Sequence, residues 1–382
     1  MNSSIEVLHS LGQSLWYDNI ERRLLENGSL AKLIDLGEIL GVTSNPSIFE
    51  KAIAQSKDYD EDLKAMGAEG LDSTQIFERL AIVDIRAAAD LFRDVYEATA
   101  AEDGYVSLEV NPALAYDTEQ TIAEAKRLWD EVNRPNLMVK IPATQAGLPA
   151  ITQSIVAGVN VNVTLIFSLK RYAEVISAYL YGLELRRQMS LPIDRLASVA
   201  SFFVSRVDSK IDKILEEVIH QEGPNAGLAA GMLGKAAVAN AKLAYEHFLN
   251  VFEGQEFKDL KDNGARVQRP LWASTSTKNP KYADVKYVEE LIGPQTVNTV
   301  PQVTLDAFRD HGVAKETLTE NLQEARDTFQ ALEDVGISME QVTHELEEEG
   351  VKAFADSYDS LIESIEKRKM QVDSHSHPAS AQ

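Results

Sequence analysis

Residues 135–144 read PNLMVKIPAT. From Leu137 to Ile141 every residue is apolar except Lys140, and Pro142 follows at once. A short apolar run between chain-breaking residues reads as a strand buried in a parallel sheet. Side chains alternate faces along a strand. Leu137, Val139 and Ile141 therefore share one apolar face, and Met138 and Lys140 share the other. A lysine in that place has three readings: an edge residue whose stem snorkels to water, half of a buried ion pair, or an amine kept for chemistry. Its apolar neighbours on both sides argue against the edge.

Outward from this stretch, short strand-like runs alternate with long helical patterns, the arrangement of repeated βα units. Eight strands are predicted, near 14–18, 41–45, 105–111, 136–141, 159–166, 196–203, 270–276 and 296–300. Asp117-Thr118-Glu119-Gln120 has the form of a capping box ahead of the stripe Ile122, Ala125, Leu128, Trp129 and Val132. Ser168 is placed to cap a helix whose stripe is Tyr172, Val175, Ile176, Tyr179 and Leu183. Residues 73–101 form another long amphipathic pattern, and 314–368 read as C-terminal helices. The pattern predicts an α/β protein, a (β/α)8 TIM barrel with additional helices. One domain is expected over 1–368, with 369–382 a polar, disordered tail. The rival is an open doubly wound sheet, but the chain has neither GxGxxG after a first strand nor GxxxxGK[ST].

Composition narrows the function classes. The chain is 44% hydrophobic and 25% charged, ordinary for a soluble globular protein. No apolar run reaches the roughly 18–20 residues of a membrane span, and no secretory leader is evident, so the cytoplasm is the expected compartment. The absence of cysteine excludes disulfides and thiolate metal sites. A net charge of -23 argues against nucleic-acid or membrane-surface partners. It also requires that any anionic substrate find a local cationic pocket.

Strand parity then selects candidate site residues. In a barrel one strand face packs on the helices, and the other points inward and reaches the mouth at its C-terminal end. Val106, Leu108 and Val110 take the helix side, leaving Ser107, Glu109 and Asn111 inward. Val161, Val163 and Leu165 do the same, leaving Asn160, Asn162, Thr164 and Ile166. Trp16 and Asp18 share a face, as do Thr43 and Asn45, and Trp272, Ser274 and Ser276. A purely structural barrel has little use for so many inward polar groups, each needing a partner. A desolvated lysine amine can attack a carbonyl, with Asp18 and Glu109 moving protons. Two carboxylates alone also suit a glycosidase, and with Asn and Thr they suit Mg²⁺. The inward Lys140 disfavours metal, because it competes as the cation.

The residues carry a resemblance. GVTSNPSIF (41–49), VSLEVNPALAYDTEQTI (106–122), NLMVKIPAT (136–144), VNVTLIFSLKRY (161–172), SVASFFVSRVD (198–208) and RPLWASTSTKNP (269–280) occur in order. Over about 10–365 the chain resembles the transaldolases, in their longer bacterial form. The resemblance implies a cofactor-free, metal-free Schiff-base enzyme of the non-oxidative pentose phosphate pathway. It would move dihydroxyacetone from sedoheptulose 7-phosphate to glyceraldehyde 3-phosphate, giving erythrose 4-phosphate and fructose 6-phosphate. By the same resemblance Lys140 is the Schiff-base lysine and Asp18 the acid/base at the breaking bond. Glu109 acts through a water that Thr164 helps to hold. Asn45, Asn162 and Ser201 bind the dihydroxyacetone end, Phe203 is an aromatic wall, and Arg206 and Ser274 take the phosphate. Sugar phosphates are the expected partners, and the protein is expected to be a monomer or homodimer.

One position departs from the family. Many members have an Arg where this chain has Ser276, and Lys278 is the candidate substitute, though an ammonium does not reproduce a guanidinium fork. Simpler roles exist for most of these residues. Asp18 or Asn45 would serve as helix caps, Asn162 and Thr164 as partners for buried backbone, Phe203 as core, and Arg206 as a surface pair with Asp208. Lys278 would serve as a surface lysine. The alternative functions are a Schiff-base aldolase that cleaves fructose 6-phosphate, a non-catalytic sugar-phosphate-binding barrel, or an acidic scaffold.

Overall fold

The computed structural model describes the chain from Ser3 to Ser376. Its centre is a sheet of seven parallel strands: β1 (Gln13–Tyr17), β2 (Val106–Glu109), β3 (Leu137–Pro142), β4 (Val161–Ile166), β5 (Ser198–Phe203), β6 (Gln268–Ala273) and β7 (Thr296–Val300). They run in the order β1-β7-β6-β5-β4-β3-β2. The strand predicted at 41–45 is reduced to one bridging residue, Val42, which pairs with Tyr17 on one side and Val106 on the other. That residue closes the ring. The Thr43 N–H donates to the Tyr17 carbonyl at 2.9 Å and the Ser107 N–H to the Val42 carbonyl at 3.0 Å. The segment stays short because Asn45-Pro46 starts the helix Pro46–Gln55, with proline at its first turn. Gly41 lets the segment approach, since a Cβ there would lie 2.7 Å from Trp16 ring atoms.

Register brings the inward residues into layers. Glu109 on β2 is paired with Lys140 on β3, and Lys140 with Asn162 on β4. Alternation fails in two places. Beyond the irregularity between Val163 and Ile166, Ile166 is paired with Phe202, which contacts Tyr172 of the surrounding helix Leu169–Gln188. Ile166 is thus on the helix side, not inward as parity alone predicts. Trp272 is likewise paired with Phe202 and meets its ring edge-on, so it too faces the helices, and Leu271 and Ala273 face in. Ser274 still reaches the mouth. Leu165 and Ser274 have φ of +61° and +56°, a left-handed turn of the backbone that resets which face follows.

Helices wrap the sheet as predicted. Asp117 accepts from the Gln120 N–H at 3.0 Å and Ser168 from the Arg171 N–H at 3.0 Å, each satisfying an orphan donor of a first turn. The end of the barrel away from the strand C-termini is stoppered by polar groups. Arg269 meets Asp103 at 3.2 Å, and Asp103 accepts from Ser14 and the Trp16 indole at 2.6 and 2.9 Å. The last helix, Met339–Ser376, lies against Pro46–Gln55. Residues 369–376 belong to it, so the expected disordered tail begins as helix; 377–382 lie outside the described residues. Among the described residues no helix is long and apolar enough to cross a membrane.

Candidate active site

The C-terminal ends of the strands enclose a cavity of about 320 Å³. Lys140 forms its floor and is only 5% exposed. The Lys140 Nζ donates to the Ser44 carbonyl at 3.0 Å and lies 3.6 Å from Glu109 Oε2. The second contact is an ion pair beyond hydrogen-bond length. Both Glu109 oxygens and the Thr164 hydroxyl are buried with no hydrogen-bond partner among the described residues. Burial pushes the Glu109 carboxyl up to about 7, with Lys140 opposing and Asp18 adding to the shift.

Asp18 follows β1 on the cavity wall. Its Oδ1 accepts from Thr43 Oγ1 at 2.7 Å. Thr43 has one proton to give, so across its 2.6 Å contact with Thr299 it accepts. Burial raises the Asp18 carboxyl above its usual range, while the Thr43 bond and the Lys140 and Lys278 charges pull it back. Asp18 is not a helix cap: the neighbouring helix Arg22–Glu26 has Glu21 in that position.

Asn45 does cap a helix, accepting from the Ile48 N–H at 3.1 Å, and it also lines the cavity. Asn162 is fully buried beneath the floor, donating to Ser107 at 3.0 Å and accepting from Ser201 at 2.7 Å. Ser201, Phe203, Thr164 and Ser274 line the cavity. Ser274 is held 3.0 Å from Ser205, hydroxyl to hydroxyl.

Cations gather at the rim. Arg206 lies in the first turn of the helix Ser205–His220, its guanidinium 5.3 Å from the Phe203 ring centre. It makes no pair with Asp208, which is buried and accepts from the Ala237 N–H and the Tyr287 hydroxyl. Lys278 lines the same cavity and donates to Ser276 at 2.5 Å. Burial lowers its pKa, and the Arg206 and Lys51 charges lower it further, with Asp18 opposing.

Sequence reading missed several residues. Lys51 reaches the cavity one helical turn beyond Ser47, but its residue type and position are those of any helix-surface lysine. Phe354 comes from the last helix and reads as an ordinary apolar position. The Ser44 carbonyl is backbone and invisible to a side-chain pattern. Thr299 lies on a predicted strand, and parity applied to 296–300 is the signal that would have found it. A larger cavity, about 730 Å³, opens around Arg171, Asn240 and Met339, and contains none of the inward strand residues.

A closed parallel barrel that gathers an amine, two carboxylates and a cationic rim at its strand C-termini has the build of an enzyme for small anionic carbonyl compounds. The family is more specific. A sequence model of the transaldolase/fructose-6-phosphate aldolase family matches residues 15–365, and the chain belongs to that family. It is 48% identical over 372 residues to a transaldolase of Saccharopolyspora erythraea, covering 97% of this chain and 99% of the relative. It is 48% identical over 365 residues to transaldolase 1 of Streptomyces coelicolor, covering 95% and 94%. A transaldolase of Trichodesmium erythraeum is 46% identical over 366 residues, covering 94% and 96%.

Proposed function

We propose that the protein is a transaldolase that moves dihydroxyacetone from sedoheptulose 7-phosphate to glyceraldehyde 3-phosphate through a Schiff base on Lys140. The observation that carries this reading is the desolvated Lys140 amine facing Glu109 at 3.6 Å, beneath a cavity walled by Asp18. Once its proton has passed to Glu109, the amine adds to the donor carbonyl, and loss of water gives an iminium that serves as an electron sink. Asp18, aligned by Thr43, takes the proton of the hydroxyl on the carbon that becomes the leaving aldehyde as the C–C bond breaks. The partnerless oxygens of Glu109 and Thr164 are the groups a bridging water would join, which suits them to proton transfer during addition and dehydration. Asn45 and Ser201 line the cavity and suit the hydroxyls of the three-carbon unit, while the buried Asn162 does not reach the cavity and acts from beneath by orienting Ser201. Arg206, Lys278, Lys51 and Ser274 line the rim where the phosphate would lie.

The setting is the cytoplasm and the non-oxidative pentose phosphate pathway. Borohydride reduction in the presence of fructose 6-phosphate is expected to leave a mass increase on Lys140. Lys140→Arg should fold normally and lose about a thousandfold or more of its turnover. A folded wild-type protein that forms no adduct overturns the reading. Transfer is separated from simple cleavage by measuring aldehyde products with and without an acceptor aldehyde.

A further inference from the structure

Resting on that reading, we propose that Phe354 keeps water from the enamine held on Lys140, so that the three-carbon unit waits for an aldehyde instead of being released. Phe354 is 5% exposed and belongs to the last helix, not to the barrel. Its ring centre lies 5.9 Å from Lys140 Nζ and 6.0 Å from the Arg206 guanidinium. Apart from the Phe203 ring, the strand ends give this cavity mostly hydroxyls, amides and charges, and the helix adds a second phenyl ring, this one facing the amine. A ring has no hydrogen bond to offer a sugar hydroxyl. What it does supply is a dry surface over the atom where the reactive intermediate sits.

The ring is fixed in place. Gly350, one helical turn earlier, lets the helix settle onto the barrel, since a Cβ there would be 3.0 Å from Leu165 and 3.4 Å from Phe167. One turn later Ser357 hydrogen-bonds Ser47 at 2.7 Å, and Ser360 donates to Glu50 at 2.6 Å. The helix is thereby tied to Pro46–Gln55, which brings Asn45 and Lys51 to the same cavity.

The intermediate has two fates. In transfer, the enamine electron pair forms the new C–C bond to the acceptor aldehyde carbon, and the aldehyde oxygen takes up a proton. In the losing branch, the same pair takes a proton from water, and hydrolysis of the resulting iminium consumes a net one water, giving dihydroxyacetone and the free Lys140 amine. Phe354 biases this partition by excluding water from the amine side of the cavity.

The test supplies fructose 6-phosphate as donor and erythrose 4-phosphate as acceptor, and measures free dihydroxyacetone against sedoheptulose 7-phosphate formed. Both flows pass through the same active molecules, so any misfolded fraction cancels in the ratio. Phe354→Ala is expected to raise the ratio about tenfold. Phe354→Leu, which keeps most of the bulk, should stay near wild type. If the alanine variant does not fold, Phe354→Val replaces it and should lie above Phe354→Leu. An unchanged ratio with a raised KM overturns the inference and makes the ring a stacking surface for the sugar. Transfer by the wild-type protein with an adduct on Lys140 is measured first, so a failure of the underlying reading is distinguished from a failure of this one.

Discussion

At the scale of single residues, the site depends on groups held where water cannot equalise them. Glu109 is buried beside Lys140 and its carboxyl is pushed up to about 7. Below that pH it keeps its proton and cannot accept another. The expected consequence is an acid limb in kcat/KM near pH 7, falling about tenfold per pH unit. Glu109→Gln should be slow and lack that limb; a limb unchanged in the variant would assign it to another group. The same shift has a stability sign. A carboxyl whose folded pKa is raised contributes stability below its ordinary value of 4.5, and that contribution is lost as pH rises through about 7. The rim makes a second claim at this scale. Arg206, Lys51 and Lys278 each carry a positive charge beside the same cavity, and the lowered pKa of Lys278 records their mutual repulsion as well as burial. An anion placed among them relieves it. Lys51→Ala and Lys278→Ala are each expected to raise KM for glyceraldehyde 3-phosphate about five- to tenfold, with kcat changed less than about twofold. Unphosphorylated glyceraldehyde should not register either change, and a parallel loss with both acceptors would show that the lysines shape the cavity rather than bind phosphate.

At the scale of elements, parity located most of the inward set because side-chain alternation is rigid in a regular strand. Glu109, Lys140 and Asn162 lie in one layer as the pattern requires. It failed at Ile166 and Trp272, around Leu165 and Ser274, where a left-handed residue breaks the alternation. Nothing about Leu or Ser as residue types announces a positive φ, so these kinks were not legible. The missed side chains share a cause as well. Lys51 and Phe354 come from helices, and their approach to the mouth is decided by tertiary packing that a local pattern does not encode. The second predicted strand shows a different limit: Val42 completes the ring with a single bridging residue. Its neighbour Gly41 faces the Trp16 ring, which is fully buried and fixed by its indole bond to Asp103. Gly41→Ala is therefore expected to cost about 1–3 kcal/mol, as overpacking of a closed core does. Urea unfolding should show a lower midpoint with an unchanged m-value, and a loss within about 0.5 kcal/mol would mean that Trp16 yields freely.

At the scale of the molecule, a chain of net charge -23 binds what we read as dianionic sugar phosphates. Two fields therefore act on the substrate, and they differ in range. The acidic surface repels from a distance, across solvent, where ions screen it well. On the proposed reading the rim cations act within contact distance of the phosphate and inside a concave wall, where ions screen them poorly. Raising the ionic strength from about 10 mM to about 150 mM shortens the Debye length from roughly 30 Å to roughly 8 Å. That change should remove most of the long-range repulsion and leave most of the short-range attraction. The expected result is a kcat/KM for glyceraldehyde 3-phosphate that rises about two- to threefold over this range. The opposite behaviour belongs to sites that steer substrates with an extended positive field. A steep fall with salt would therefore mean that Lys51, Arg206 and Lys278 project attraction beyond the mouth, and that the overall charge is not what an approaching sugar phosphate meets. The unphosphorylated acceptor provides the internal control, because a neutral aldehyde has nothing for either field to act on.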